Sequence, residues 1–283
     1  MRAKIQARLY RSAVYAGTVF SVGVLLLIVG YILIKGIPNL SPELFAWEYH
    51  STNVSMMSAI INTLLMTLLS LLVCVPLGIG AAIWLTEYAP RGSKLVKLVR
   101  MTAETLSGIP SIIYGLFGSL FFVVALKMGL SLLSGALTLS IMVLPTIMRT
   151  TEEALLAVPD SYREGSFGLG AGRLRTTFKV VLPSAVPGIL SGVILAIGRI
   201  VGETAALIYT AGTVAKVPGS LLDSTRTLAV HMYTISTEGL YIGQSYATAV
   251  VLLGMVLLIN SLSAFIAKKV GHSTTGKQEE KHS

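Results

Sequence analysis

In a chain that is 53% hydrophobic and only 12% charged, two places combine residue types able to act on a ligand or a partner. The first is GRIVGETAALIYTAG, residues 198–212, where Arg199 and Glu203 fall four residues apart inside an apolar run. Helical spacing puts both on one face and within reach of each other, with arginine before glutamate the weaker of the two orders. A charge near mid-bilayer costs about 2.5–3.5 kcal/mol on insertion scales, so such residues are kept for a reason. Two readings are open. The residues form a structural ion pair that fixes helix packing, or they make a polar patch on a translocation path. On such a path the forked donors of a permanently charged guanidinium suit an oxyanion. Gly188-x-x-x-Gly192 and Gly198-x-x-x-Gly202 in the same stretch allow a neighbouring helix to approach closely.

The second place is REGSFGLGAGRLRTTFKVVLP, residues 163–183. Ser161-x-x-Glu164, just after Pro159 and Asp160, has the pattern of a capping box and predicts a helix start near Ser161. Gly165, Gly168, Gly170 and Gly172 each lower helix propensity by about 1 kcal/mol relative to alanine. Their clustering fits a tight turn and close backbone contact better than helix stability. A second short helix is expected after them, with Leu174, Phe178 and Val181 on an apolar stripe and Arg173, Arg175 and Lys179 on a basic face. Leu182-Pro183 is expected to end it. The segment is either a solvated loop with an interfacial helix or a helix–turn–helix that docks on a partner.

The elements that must hold these residues are membrane spans. About 20 apolar residues cross about 30 Å of hydrocarbon. Six runs qualify, near 13–34, 58–85, 107–126, 131–148, 186–212 and 246–267. The first is too long and lacks the flanks of a cleaved leader, so it is expected to remain as a helix. The basic groups at 2–11, 91–100, 149–179 and 268–281 hold 17 of the 22 lysines and arginines and all fall on one side of this arrangement. The positive-inside rule then expects both termini in the cytoplasm. The net charge of +9 thus speaks for topology and an anionic leaflet, not for nucleic acid. The expected organisation is a cytoplasmic segment at 1–12, a transmembrane domain at 13–271 with the polar loop at about 150–183, and a disordered tail at 272–283. Lys94, Lys97 and Arg100 recur every third residue, which suits an amphipathic helix at the interface before Gly108 and Pro110 break it. The stretch TLAVHMYTI within 213–245 is expected to form a short interfacial helix. Cys74, the single cysteine, reads as a small core hydrophobe.

Motifs for enzyme chemistry are missing. The sequence has no G-x-x-x-x-G-K-[ST] phosphate loop. GLGAG, residues 168–172, is not the dinucleotide fingerprint. None of the four histidines lies in an expected span, and no Cys/His set has zinc-ligand spacing. A stand-alone secondary transporter remains conceivable on composition alone, but it gives no reason for the design of residues 163–183.

That design resembles the Glu-Ala-Ala loop of ABC-importer permeases. The pattern there is E-A-A, three residues, G, nine residues, then I-x-L-P. Here Glu164-Gly165-Ser166 is followed by three residues, Gly170, nine residues, and Val180-Val181-Leu182-Pro183. GRIVGETAALIYTAG together with SGIPSIIYGLFG, residues 107–118, resembles the permeases of phosphate-specific ABC importers, the A-type subunit more than its partner. The resemblance implies an all-α membrane protein with six transmembrane helices in the type I importer arrangement, not itself an enzyme. It implies a coupling loop built on Glu164, Gly165, Ser166, Gly170, Leu182 and Pro183 that seats on a separate ATPase. It also implies a related second permease, two ATPase subunits that bind ATP and magnesium, and an extracytoplasmic phosphate-binding protein. No cofactor is expected on this chain. Arg199 is the residue expected to meet the anion, with Glu203 orienting and partly neutralising it. Importers of other oxyanions, such as molybdate or sulfate, share the same general design.

Overall fold

The computed structural model describes residues 2–90 and 92–279. Among them no strand occurs. The helices in order are α1 (Arg2–Gly36), α2 (Met57–Ile83), α3 (Lys94–Ser107), α4 (Ser111–Gly118), α5 (Leu132–Leu156), α6 (Asp160–Gly168), α7 (Arg173–Thr176), α8 (Leu182–Val201), α9 (Ala205–Ile208), α10 (Leu228–Glu238) and α11 (Ile242–Glu279). Wider π-type turns at Trp84–Tyr88, Ser119–Ala125 and Thr177–Val181 prolong α2, α4 and α7.

Five helical stretches are long and apolar enough to cross a bilayer: Tyr10–Asn39, Met57–Tyr88, Leu132–Leu156, Arg173–Val201 and Ile242–Phe265. A sixth crossing comes from α3 and the α4 stretch only if both count as one, and they meet at 103°. Gly108 and Pro110 lie in that corner, as expected, and α3 is the amphipathic helix foreseen from its lysines.

The fifth span departs most from its expected bounds of 186–212. It begins at Arg173, because α7, the π turn and α8 form one continuous helix. Leu182-Pro183 therefore does not end the second short helix. Proline lacks a donor, and its ring crowds the preceding turn. The wide turn at Thr177–Val181, directly before it, relieves that conflict. At the other end the helix stops at Val201, well short of residue 212.

α5 is the hub, packing against α2, α8, α3 and α4. Ser140 on α5 donates to the Ser70 carbonyl of α2 at 3.0 Å. Gly192 of α8 faces Thr150 of α5 so closely that any side chain there would overlap the threonine hydroxyl, and Gly188 sits likewise against Ala154. The Gly188–Gly192 pattern is thus a true close approach. Gly198 and Gly202 are not: the nearest side-chain atom to a Cβ at Gly198 is Asn260 Nδ2, 3.8 Å away. Cys74 is fully buried among Met66, Leu139, Met142 and Ile147, as a core hydrophobe should be. α1 packs on α11 and otherwise leaves its apolar surface uncovered.

The helix foreseen in TLAVHMYTI exists as α10, but it is not interfacial. Leu228, Ala229, Val230, His231 and Ile235 are buried, and α10 packs on α2, α9 and α11. Thr63 of α2 accepts the Leu228 N–H at 2.8 Å, which ties its first turn inward. At the C-terminus α11 runs to Glu279, into the segment expected to be disordered; residues 280–283 lie outside the described residues.

Candidate functional site

Arg199 lies in the last turn of α8, the end of a helix that favours a cation. Residues 202–204 are not helical, and α9 adds a single turn held against α4. Irregular backbone at membrane depth is tolerated only where protein or a cavity meets its polar groups. Such a cavity is present. Thr146 of α5, Ser191 and Arg199 of α8, and Asn260 of α11 line a groove of about 580 Å³.

Glu203 does not pair with Arg199. An i,i+4 pair needs helix through residue 203, and α8 ends two residues earlier. Glu203 is buried and turned to α9, where its Oε1 accepts the Ala206 N–H at 3.1 Å. Among the described residues no carboxylate pairs with Arg199. Its guanidinium thus has no counter-charge among the described residues, while Glu203 completes the first turn of α9. Asn260 is a site residue that the sequence reading missed. Its Oδ1 is buried with no hydrogen-bond partner among the described residues. A lone amide in the apolar stretch LLINSLSAF was the available signal.

The groove continues past Thr146 and Leu195, which also line a second cavity of about 480 Å³. Charges there are paired: Arg100 with Glu152, and Arg149 with Glu153 at 3.1 Å. Glu104 lines the same space, so carboxylates outnumber guanidiniums.

The coupling-loop residues are also gathered, though not as the capping-box pattern predicts. α6 begins at Asp160 with Pro159 as its N-cap, and no side chain caps it. Arg163 does the anchoring. Its guanidinium donates to Glu87 Oε1 at 2.8 Å, to the Leu155 carbonyl at 2.9 Å, to the Val158 carbonyl at 2.8 Å and to Asp160 Oδ1 at 3.2 Å. Arg163 and Glu87 are mostly buried, with side chains 16% and 8% exposed. This clamp joins α6 to the ends of α2 and α5, and sequence reasoning found neither partner's role. Arg173 stacks over the Tyr88 ring at 5.9 Å, adding a second tie to the end of α2.

Ser166 meets the Thr176 hydroxyl at 2.8 Å and so links the two arms of the loop. Gly170 turns the chain with φ +80°, a conformation costly for other residues. Gly165, Gly168 and Gly172 have nothing of this chain near the position a Cβ would take. A close-contact role for them needs a surface outside this chain. Glu164 is exposed on α6, and Leu182 and Pro183 are partly buried in the continuous helix. The apolar stripe splits: Leu174 and Phe178 are exposed, whereas Val181 is fully buried with Leu155, Val158 and Ala185. Leu169 at the turn is 91% exposed, beside exposed Tyr162 and Phe167. Together they leave an exposed apolar patch on an otherwise polar loop.

The family described as "Binding-protein-dependent transport system inner membrane component" matches this chain over residues 74–272. A phosphate transport system permease protein PstC from Mesorhizobium japonicum is 32% identical over 241 residues, covering 76% of this chain and 72% of that one. A PstA permease from Mycobacterium leprae is 32% identical over 227 residues, covering 79% and 71%. Among solved structures, a bacterial alginate ABC transporter in complex with its alginate pentasaccharide-bound periplasmic protein superposes with a TM-score of 0.67 at 15% identity, over 94% of this chain and 97% of the other. An inward-facing MetNI methionine ABC transporter gives a TM-score of 0.58 at 22% identity, over 76% and 94%. Helix order, the loop at 160–183 and these matches lead to one assignment: the chain belongs to the inner-membrane permease components of binding-protein-dependent ABC importers, with the type I importer permease fold.

Proposed function

We propose that this chain is one half of the membrane pathway of an ATP-driven importer of inorganic phosphate. The observation that carries the reading is Arg199: a permanent cation without a carboxylate partner among the described residues, placed where α8 breaks and facing hydroxyl and amide groups in an open groove. A tetrahedral oxyanion matches that chemistry, and the relatives named for phosphate transport supply the particular anion. Relatives of both permease types match, a PstC protein at 32% identity and PstA proteins at 32–38%, and the A-type assignment rests chiefly on GETAALIYTAG.

In this reading both termini are cytoplasmic and a related permease closes the exposed side of the groove. ATP and magnesium are bound by two ATPase subunits under α6 and α7, and this chain hydrolyses nothing. A phosphate-binding protein docks at the opposite end. Closure of the ATPases moves the loop and rocks the helices between two states, each stabilised by different partners. The cavity beyond Thr146, with its arginines already paired, holds the anion less firmly than Arg199 and so favours release.

The test is uptake of radiolabelled phosphate by the assembled transporter, with sulfate and molybdate as competitors. Arg199→Gln removes a charge-assisted contact of about 1.5–3 kcal/mol, so uptake should fall roughly 10- to 100-fold. The ATPase should still co-purify. No uptake of labelled phosphate, with labelled sulfate or molybdate taken up instead, would assign a different oxyanion. A chain that purifies alone and moves solute without ATP would overturn the reading.

A further inference from the structure

The Arg199 groove and the cavity beyond it meet at two residues. Among the described residues, only Thr146 of α5 and Leu195 of α8 line both spaces. Leu195 is one turn, about 6 Å, from Arg199 along α8, on the side of α7. Along α5, Arg149 and Glu153 lie about 5 and 10 Å past Thr146, toward α6. A solute that moves from the groove to the inner cavity therefore passes between the Thr146 and Leu195 side chains. Leu195 has no polar group to offer it.

An oxyanion accepts hydrogen bonds, so the supply of free donors decides where it can pass. Four hydroxyls line the two cavities: Ser107, Thr146, Thr150 and Ser191. Three have already committed their proton to the main chain. Ser107 donates to the Glu104 carbonyl at 2.8 Å, Thr150 to the Thr146 carbonyl at 2.9 Å and Ser191 to the Pro187 carbonyl at 3.0 Å. This is the common habit of helical serine and threonine, because a carbonyl one turn back is within reach. Thr146 departs from it. Its hydroxyl makes no hydrogen bond among the described residues, and it is not shut away from the cavities as the idle hydroxyl of Thr151 is. An unmade hydrogen bond in apolar surroundings is costly unless water or a ligand meets it. Past the junction, Arg100 and Arg149 already face Glu152 and Glu153. The one uncommitted hydroxyl proton thus stands where the two spaces join.

We propose that the Thr146 hydroxyl is a relay contact for the oxyanion, donating to it as it passes Leu195 from the Arg199 groove into the inner cavity. Its oxygen accepts as well, so a protonated phosphate oxygen is met as readily as an ionised one. Thr146 positions the anion in transit, whereas Arg199 captures it. The relay rests on the import reading for the presence of an oxyanion in the groove, and not on which oxyanion it is.

The test is uptake of labelled phosphate into proteoliposomes that hold the assembled transporter, with its binding protein and ATP supplied. Thr146→Val keeps the branched shape and deletes the hydroxyl. Since that hydroxyl holds no other part of the chain, recovery of the ATPase should match the parent. A contact made only in transit changes rate and not capture. The maximal rate should therefore fall roughly tenfold or more, the loss expected for a hydrogen bond to an anion, while the half-saturating phosphate concentration stays within about twofold. Thr146→Ser returns the hydroxyl and should recover most of the rate. Thr146→Val at the parent rate overturns the proposal. So does Thr146→Ser falling as far as Thr146→Val, because shape and not the hydroxyl would then be what matters. If the parent transporter carries sulfate in place of phosphate, the phosphate reading falls and the same two variants decide the relay with labelled sulfate. A parent that carries neither oxyanion overturns both.

Discussion

Glu87→Gln isolates the clamp that holds the coupling loop to the rest of the chain. Arg163 makes two kinds of ion pair: with Glu87, whose side chain is 8% exposed, and with Asp160, whose side chain is 74% exposed. The amide introduced by this change still offers a carbonyl, and the Leu155 and Val158 carbonyls still accept from Arg163, so the guanidinium is not stranded. What is lost is the charge assistance of one mostly buried contact, about 2 kcal/mol. The exposed Asp160 pair contributes well under 1 kcal/mol. Loosening by about 2 kcal/mol corresponds to roughly 30-fold faster local opening of α6. Hydrogen exchange followed by mass spectrometry over residues 160–172 reads that opening directly. Glu87→Gln should accelerate exchange there roughly 30-fold with α5 and α8 unchanged, and Asp160→Asn should accelerate it less than about fivefold. In the assembled transporter the same change should lower phosphate moved per ATP hydrolysed. If α6 exchanged at its original rate in Glu87→Gln, or if every helix accelerated equally, the clamp would not be what seats the loop.

Three further outcomes follow from particular atoms. Gly165→Ala meets no atom of this chain and gains about 1 kcal/mol of helix propensity, so the chain should be no less stable by thermal unfolding. Its recovery of the ATPase in a pull-down should fall nonetheless, and undiminished recovery would refute the idea that a partner needs the bare backbone. Gly192→Ala forces a Cβ into Thr150 and should cost about 1–3 kcal/mol, while Gly192→Ala with Thr150→Ser should recover little because the hydroxyl remains; a melting temperature equal to the parent chain would contradict the close approach of α5 and α8. His231 is depressed to about 3 from an ordinary value near 6.5, so the folded state binds fewer protons than the unfolded state between those values. Stability is then complete above about pH 6.5 and declines as pH falls toward 3, by about 2 kcal/mol on reaching pH 5. His231→Phe should remove that decline in a melting series from pH 7 to 5.

The spans and the helix–turn–helix at 160–183 were legible because they rest on strong local signals. Apolar length predicts crossings, and the glycine and charge spacing of residues 163–183 predicts a helix–turn–helix. Helix ends around the site were not legible, since they follow from tertiary contacts. Nothing local in GRIVGETAAL says that α8 stops at Val201, and that stop is what separates Glu203 from Arg199. The Arg163–Glu87 clamp joins residues 76 apart and leaves no pattern. α10 reads as mildly apolar, which a membrane surface and a protein core accommodate equally; the Thr63 contact that decides between them is long-range. Pro183 reads as a helix terminator because the rule counts its missing donor, whereas the preceding wide turn absorbs it.

The unbroken helix from Arg173 to Val201 has a mechanical side. In the proposed importer it would serve as a lever with one arm in the loop at 160–183, the other at Arg199, and a fulcrum where Gly192 bears on Thr150. At 1.5 Å per residue the arms are about 28 Å and about 10 Å long. A sideways stroke of about 3 Å at the base would thus reach Arg199 as roughly 1 Å, in the opposite sense. Gearing of that kind exchanges travel for force. It suits a machine whose engine makes a broad movement and whose cargo needs only a fraction of a hydrogen-bond length to be gripped or let go.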